Sequence, residues 1–329
     1  MTGALAAVLL LVVLTPAGLV GIVPSAASAS ATVPDTCGQP GSFPCAERSY
    51  GLPKAELHLA VLGDSYAAGL GAQSSPTSNS YTSGPPCYQS EQSYAGQIAL
   101  DSHGLIYSTL TACSGATISD VINTQLHDLN KSFGAVAISA GGNDIGFAKI
   151  ATDCEKLNKS KCDADLVNAN KILLSPSFVS KLANLYEDIL SDVPKAHVYV
   201  MGYPYLFPQN ASVSCAAEGP AFQFGPKLVK DANILVYNLD SDEYSAALRA
   251  GLRTTFINPT NPTARLLKLG DRKVAAYLNF DPHNVCGNPQ WIHGLIVFPA
   301  SDTVRSFHPN YRGNAAYTVL LALFMREYQ

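Results

Sequence analysis

The chain has 329 residues, of which 47% are hydrophobic and 14% charged. That composition argues against disorder and supplies apolar surface for one large α/β domain or two small ones. A formal net charge of -4, with no cluster of Lys and Arg, argues against a nucleic-acid partner, which needs a basic face.

From the N-terminus, the apolar run ALAAVLLLVVL leads into PSAASASA, small residues that suit cleavage after Ala29 or Ala31. Residues 1–31 therefore read as an export signal, although no Lys or Arg precedes Arg48. A single membrane anchor is the alternative; Pro16, Gly18, Gly21 and Pro24 interrupt the run and disfavour it. Residues 32–54, rich in Pro, Gly and Ser, read as an irregular segment held by a disulfide, followed by one domain over 55–329. Secretion also fits the even number of cysteines, eight, with no CxxC pair and no Cys/His set at zinc spacing. Cys37 with Cys45, and Cys154 with Cys162, are near enough to staple local loops.

LHLAVLG (57–63) is a short apolar run ending in glycine, which predicts a buried strand. A long polar loop follows, then a helix from Ser93 to about Ser102 and a strand in LIYSTLTA (105–112). That strand meets CSGATISDVINTQL, where Thr117 or Ser119 is placed to cap a helix. GAVAISAGGND (134–144) repeats the design of strand, glycines and polar residues. A cysteine-stapled loop is expected over 151–163, a helix over 176–192, a strand in AHVYVMGYP (196–204), a helix over 226–250 and a strand over 253–258. After a long loop region, NAAYTVLLALFMREY closes the chain as a helix that Pro309 or Asn310 would start.

Strands alternating with helices predict a doubly wound parallel sheet in a single domain. Ligands bind such sheets outside the carboxyl ends of the strands. Gly63-Asp64-Ser65, Ser114-Gly115 and Gly142-Asn143 each follow such an end. Alone, Gly-Asp-Ser is most often a turn with a helix cap, and Gly-Gly-Asn-Asp an ordinary turn. Together they offer a serine at a helix start and an asparagine amide able to donate to a developing oxyanion. A serine nucleophile needs a base, and two of the seven histidines have a suitable setting. His308 lies just before the last helix, and His283 has Asp281 two residues away. The others, including His293, read as packed or surface side chains. A phosphate-cradling loop is disfavoured, because Gly63, Gly69 and Gly71 do not follow the G-x-G-x-x-G order.

Four blocks, LGDSYAAG, ACSGAT, AGGNDIGF and SFHPNYRG, stand in the order of the GDSL-type SGNH hydrolases. From about Leu57 to its end the chain resembles that family, and within it the secreted actinobacterial esterases, lipases and phospholipases. The resemblance implies a three-layer α/β/α fold around a flavodoxin-like, doubly wound parallel sheet. It implies Ser65 as nucleophile, an oxyanion hole from the N–H groups of Ser65 and Gly115 and the Asn143 side chain, and His308 as base. It further implies disulfides Cys87–Cys113, Cys154–Cys162 and Cys215–Cys286, with Cys37–Cys45 as an additional staple. Many members carry an aspartate three residues before the histidine, where this chain has Arg305. A Ser–His dyad is therefore expected, with the Arg305 or Ser306 carbonyl orienting the ring and Asp302 as fallback. No metal and no organic cofactor is needed.

The function expected is secreted carboxylic-ester hydrolysis through an acyl-enzyme on Ser65, by a monomer that meets a small-molecule or lipid ester and touches lipid surfaces only transiently. Carbohydrate deacetylation and phospholipase A activity are alternatives on the same site. A secreted binding protein that kept the fold and lost catalysis is the alternative of another class.

Overall fold

The structure, a computed structural model, describes residues 56–73, 82–155, 159–209, 215–216, 223–260, 278–296 and 300–326. All of them fall in the unit Val33–Gln329; the unit Met1–Thr32 lies wholly outside them. The expected export signal, the 32–54 segment and the Cys37–Cys45 staple are therefore outside the described residues.

Five parallel strands form the central sheet: β1 (Leu57–Gly63), β2 (Ile106–Leu110), β3 (Ala135–Ser139), β4 (His197–Met201) and β5 (Thr254–Ile257). Their order is β2-β1-β3-β4-β5, the flavodoxin-like arrangement the resemblance implies. Leu59, Val61 and Leu62 of β1, and Val136, Ala137 and Ile138 of β3, are fully buried. A parallel sheet covered on both faces requires this continuous apolar run, which is why the alternation of a half-exposed strand is missing.

On one face pack α2 (Tyr94–Asp101, capped by Ser93) and α7 (Tyr311–Met325), whose cap Asn310 accepts from the Gly313 N–H. The other face carries α4 (Lys159–Leu173), α5 (Pro176–Asp192) and α6 (Pro226–Ala250). Proline opens both α5 and α6, where its missing N–H costs no hydrogen bond. Leu182, Leu185 and Ile189 recur at helical spacing on the buried side of α5.

The loop expected over 151–163 is corrected. Phe147–Glu155 forms α3 and Lys159–Leu173 forms α4, and the Cys154–Cys162 disulfide joins two helices rather than closing a loop. The polar residues there line solvent faces, and neither helix contains a Gly or Pro. Cys87–Cys113 is also formed, and Cys286 is disulfide-bonded. The side chain of Cys215, its expected partner, lies outside the described residues.

Register places the chemistry. Gly63 at the end of β1 stands opposite Ser139 at the end of β3, so the loops that follow both strands leave the sheet at one level.

Candidate active site

The turn after β1 admits only glycine at its first position. Gly63 has φ +117, and a Cβ there would lie 2.0 Å from the Ser139 carbonyl oxygen. Its peptide groups are satisfied from a distance: its N–H donates to Gln125 Oε1 at 2.7 Å, and its carbonyl accepts from Gln125 Nε2 at 2.9 Å. Its carbonyl also accepts from the Cys113 N–H, 2.9 Å away, which ties in the loop after β2. Asp64 then caps the short helix α1 (Ser65–Ala68), its Oδ1 accepting from the Tyr66 N–H at 3.0 Å. Ser65 opens that helix and, unlike its buried neighbours, is partly exposed.

The second loop is anchored by Cys87–Cys113 and by Ser114, whose Oγ donates to the Cys87 carbonyl at 2.8 Å. Gly115 follows, exposed and with φ +84. Thr117 caps the next helical turn (Ile118–Asp120) in a reciprocal box with Asp120. The third loop reaches the second through two bonds. Asn143 Nδ2 donates to the Ala116 carbonyl at 3.0 Å, and Asp144 accepts from the Ile118 N–H at 2.9 Å.

His308 comes from the other end of the chain. Its Nε2 lies 2.8 Å from Ser65 Oγ, and its Nδ1 lies 2.9 Å from the Ser306 carbonyl oxygen. A carbonyl only accepts, so Nδ1 carries the proton and Nε2 is left to accept from the serine. Of the two carbonyls expected to orient the ring, that of Ser306 meets Nδ1; that of Arg305 accepts the His308 backbone N–H at 3.1 Å. Asp302 is engaged elsewhere, 2.7 Å from Arg305 Nη2. Burial pushes the His308 pKa down to about 4, against the pull of the Ser306 carbonyl, and nearby His293 lowers it further. His283 takes no part: it stacks on Trp291 at 3.9 Å and its Nδ1 lies 2.8 Å from the Pro289 carbonyl.

Three side chains that the sequence reading passed over hold these loops. Gln125 is one. Tyr203 is another: its hydroxyl donates to Asp64 Oδ2 at 2.6 Å and accepts from the Gly142 N–H at 3.3 Å. Tyr66 is the third, its hydroxyl donating to the Phe307 carbonyl at 2.6 Å. Beneath them sits a buried acidic group. Asp240 accepts from the Tyr203 N–H at 2.9 Å, while both carboxyl oxygens of Glu243 lack a hydrogen-bond partner among the described residues. Burial, the largest cause in each case, pushes Asp64 up to about 7 and raises Asp240 and Glu243 well above the carboxylate range. Among the described residues no cluster of three His, Cys, Asp or Glu is placed to hold a metal ion.

A serine hydroxyl bonded to an oriented, neutral imidazole, with loops of backbone and amide donors beside it, is equipped for acyl transfer. Comparison with known proteins points the same way. Residues 61–316 match the GDSL-like Lipase/Acylhydrolase family. A lipase of Streptomyces rimosus is 29% identical over 257 residues, 78% of this chain and 81% of the relative. Lipase 1 of Streptomyces coelicolor is 28% identical over 263 residues, 80% of this chain and 84% of the relative. Among solved structures, phospholipase A1 from Streptomyces albidoflavus NA297 has a TM-score of 0.65 and 27% identity, over 81% of this chain and 98% of that one. The extracellular lipase from Streptomyces rimosus has a TM-score of 0.63 and 28% identity, over 80% and 98%.

Proposed function

The chain belongs to the GDSL-like Lipase/Acylhydrolase family and is a carboxylic-ester hydrolase, and from that premise we propose that Ser65 and His308 form its catalytic dyad. The observation that carries this reading is the 2.8 Å bond from His308 Nε2 to Ser65 Oγ, with Nδ1 held by the Ser306 carbonyl.

Ser65 Oγ attacks the ester carbonyl carbon as its proton passes to His308 Nε2. The tetrahedral oxygen is met by the N–H groups of Ser65 and Gly115 and by the Asn143 amide. One N–H of that amide is occupied by the Ala116 carbonyl, so the other is the one left for the oxyanion. The C–O bond to the alcohol then breaks, and His308 returns the proton to the departing oxygen. A water, deprotonated by the same nitrogen, hydrolyses the acyl-enzyme and restores the hydroxyl. The Ser306 carbonyl fixes the tautomer but carries no full charge, so it assists the imidazolium less than a carboxylate would.

The substrates are acyl esters of glycerol, either neutral or phosphorylated, which the lipase and phospholipase A1 relatives support. The enzyme works outside the cell as a monomer, freed of residues 1–31 and meeting lipid surfaces transiently. One relative is an extracellular lipase, and among the described residues no helix is long and apolar enough to cross a membrane.

Hydrolysis of p-nitrophenyl esters from acetyl to palmitoyl, by wild type and Ser65→Ala in parallel, tests the assignment. Activity that vanishes in the variant supports the nucleophile, and the chain-length profile separates esterase from lipase. Equal rates in both proteins would remove Ser65 from the mechanism. Triacylglycerol against diacylglycerophosphocholine then distinguishes the neutral from the phosphorylated substrate.

A further inference from the structure

Phe307, the residue before the base, has φ +63. A bulky side chain rarely adopts that left-handed conformation, so the surroundings must hold it there. Its N–H donates to the His293 carbonyl at 3.1 Å, and its ring packs near that of Phe207, 6.4 Å away. Its carbonyl accepts from the Tyr66 hydroxyl at 2.6 Å, a bond between residues 241 apart in the chain. That carbonyl belongs to the peptide plane leading into His308, so rotating the plane swings the imidazole away from Ser65.

Tyr66 is itself fixed. It follows Ser65 on the same short helix and is 4% exposed. Its ring meets that of Tyr203 edge-on at 5.0 Å, and Tyr203 in turn holds the cap Asp64. Its ring also neighbours that of the base, the Tyr66 and His308 rings lying 5.4 Å apart. Burial and the nearby Asp64 and Asp240 keep its hydroxyl protonated, and so a donor.

We propose that Tyr66 is a positioning residue for the general base: by holding the left-handed Phe307 peptide it sets the distance between His308 Nε2 and Ser65 Oγ. The neighbour of the nucleophile grips the neighbour of the base, so two loops from opposite ends of the chain are gauged against each other by one hydroxyl. The inference rests on the reading of Ser65 and His308 as nucleophile and base.

Tyr66→Phe removes the hydroxyl and keeps the ring. The expected result is a fall in kcat of roughly 10- to 100-fold, the scale of a misplaced catalytic group, with KM within about two-fold. In a His308→Ala background the same substitution should change the residual rate less than about two-fold, because there is no base left to position. A hydroxyl that served only the fold would cost the same factor in both backgrounds, and that result overturns the proposal, as does a wild-type kcat in Tyr66→Phe. Should His308→Ala keep wild-type activity, the dyad itself fails and the proposal with it, an outcome distinct from the previous two. Two substitutions of near-equal volume guard against misfolding. Tyr66→p-aminophenylalanine retains a donor and should restore most of kcat, whereas Tyr66→p-fluorophenylalanine should behave like Tyr66→Phe. Equal kcat in these two variants would also overturn the proposal.

Discussion

Arg305 Nη2 stands 2.7 Å from Asp302 Oδ2, an ion pair with both side chains largely buried. Arg305 occupies the position where many relatives place the triad acid, and it binds the carboxylate that was the fallback for orienting the base. The ring is oriented by the Ser306 carbonyl instead. Asp302→Asn should therefore leave kcat within a few-fold of wild type. Its cost is to stability, since Arg305 loses a charged partner, an effect on the order of 1–3 kcal/mol for a buried group left without one. Thermal unfolding beside ester turnover checks both halves; a loss of several orders of magnitude in kcat with the fold intact would restore Asp302 to the mechanism.

With His308 as the proposed base, its acidity should set an acid limit on turnover. Burial holds its pKa at about 4, below the ordinary value of about 6.5. As the proposed base, His308 is active when neutral, so kcat/KM of the free enzyme should halve near pH 4 rather than near the ordinary histidine value. The same shift acts on stability. Between the two pKa values the unfolded chain binds a proton that the folded one refuses, so this contribution falls as pH drops through that window and levels off below it. Ester hydrolysis followed by pH-stat down to acid pH measures the limb. A midpoint close to 6.5 would mean that the ring is better hydrated than its surroundings indicate.

Tyr203 joins Asp64, the cap of the helix that Ser65 opens, to the glycine before Asn143. Tyr203→Phe leaves Asp64 Oδ2 and the Gly142 N–H each short of a buried partner. At about 1–3 kcal/mol per orphaned group, the loss should be roughly 2–4 kcal/mol once the chain relaxes. Because both loops carry groups assigned to the chemistry, kcat should fall as well. Urea unfolding together with steady-state kinetics reads the two effects, and a variant as stable as wild type would show that the hydroxyl is not holding the loops.

Much of this architecture was readable in the chain. LHLAVLG, GAVAIS and AHVYVMG each pass from apolar residues to glycine or serine, which is how a strand buried on both faces ends at a ligand-binding edge. Pro176 and Asn310 marked helix starts through their backbone chemistry. That no aspartate stands three residues before His308 was visible as Arg305. The 151–163 stretch misled because an exposed helix has the polar composition of a loop. Gln125, Tyr203 and Tyr66 could not have been found this way. Their hydrogen bonds to Gly63, Asp64 and Phe307 span 62, 139 and 241 residues. Local propensity contains no information about contacts at such separations, and a buried tyrosine has the same signature whether it packs or positions.

Gly115 offers a test of the oxyanion assignment that is free of steric conflict. An added Cβ would meet nothing within 4 Å, yet φ is +84. Gly115→Ala therefore imposes only the left-handed backbone cost, about 1–2 kcal/mol, which the exposed loop can relieve by turning its peptide. Turning it withdraws the N–H from the site. The expected result is a fall in kcat of roughly 10-fold or more, with KM little changed and the unfolding temperature lowered only slightly. Unaltered kcat would remove this N–H from the oxyanion hole.

Glu243 poses the opposite problem, a fully buried carboxyl whose oxygens meet no donor among the described residues. Burial raises its pKa well above the usual value, and Asp240, Asp64 and Asp242 add to the rise. The sign follows from the proton count. Above about pH 4.3 the unfolded chain releases this proton while the folded chain keeps it, so stability from this group is complete in acid and declines as pH rises toward the folded pKa. Glu243→Gln replaces the carboxyl with an amide that has no proton to lose; it buries two N–H donors where the protonated carboxyl buries one O–H, a cost that does not vary with pH. Relative to wild type, its unfolding temperature should rise from pH 4 to pH 8, on top of whatever constant offset the amide adds. Calorimetric scans of both proteins across that range decide the matter. A difference that stays constant across the range, or that turns against the variant as pH rises, would mean that the folded protein does not hold this proton more tightly than the unfolded chain does.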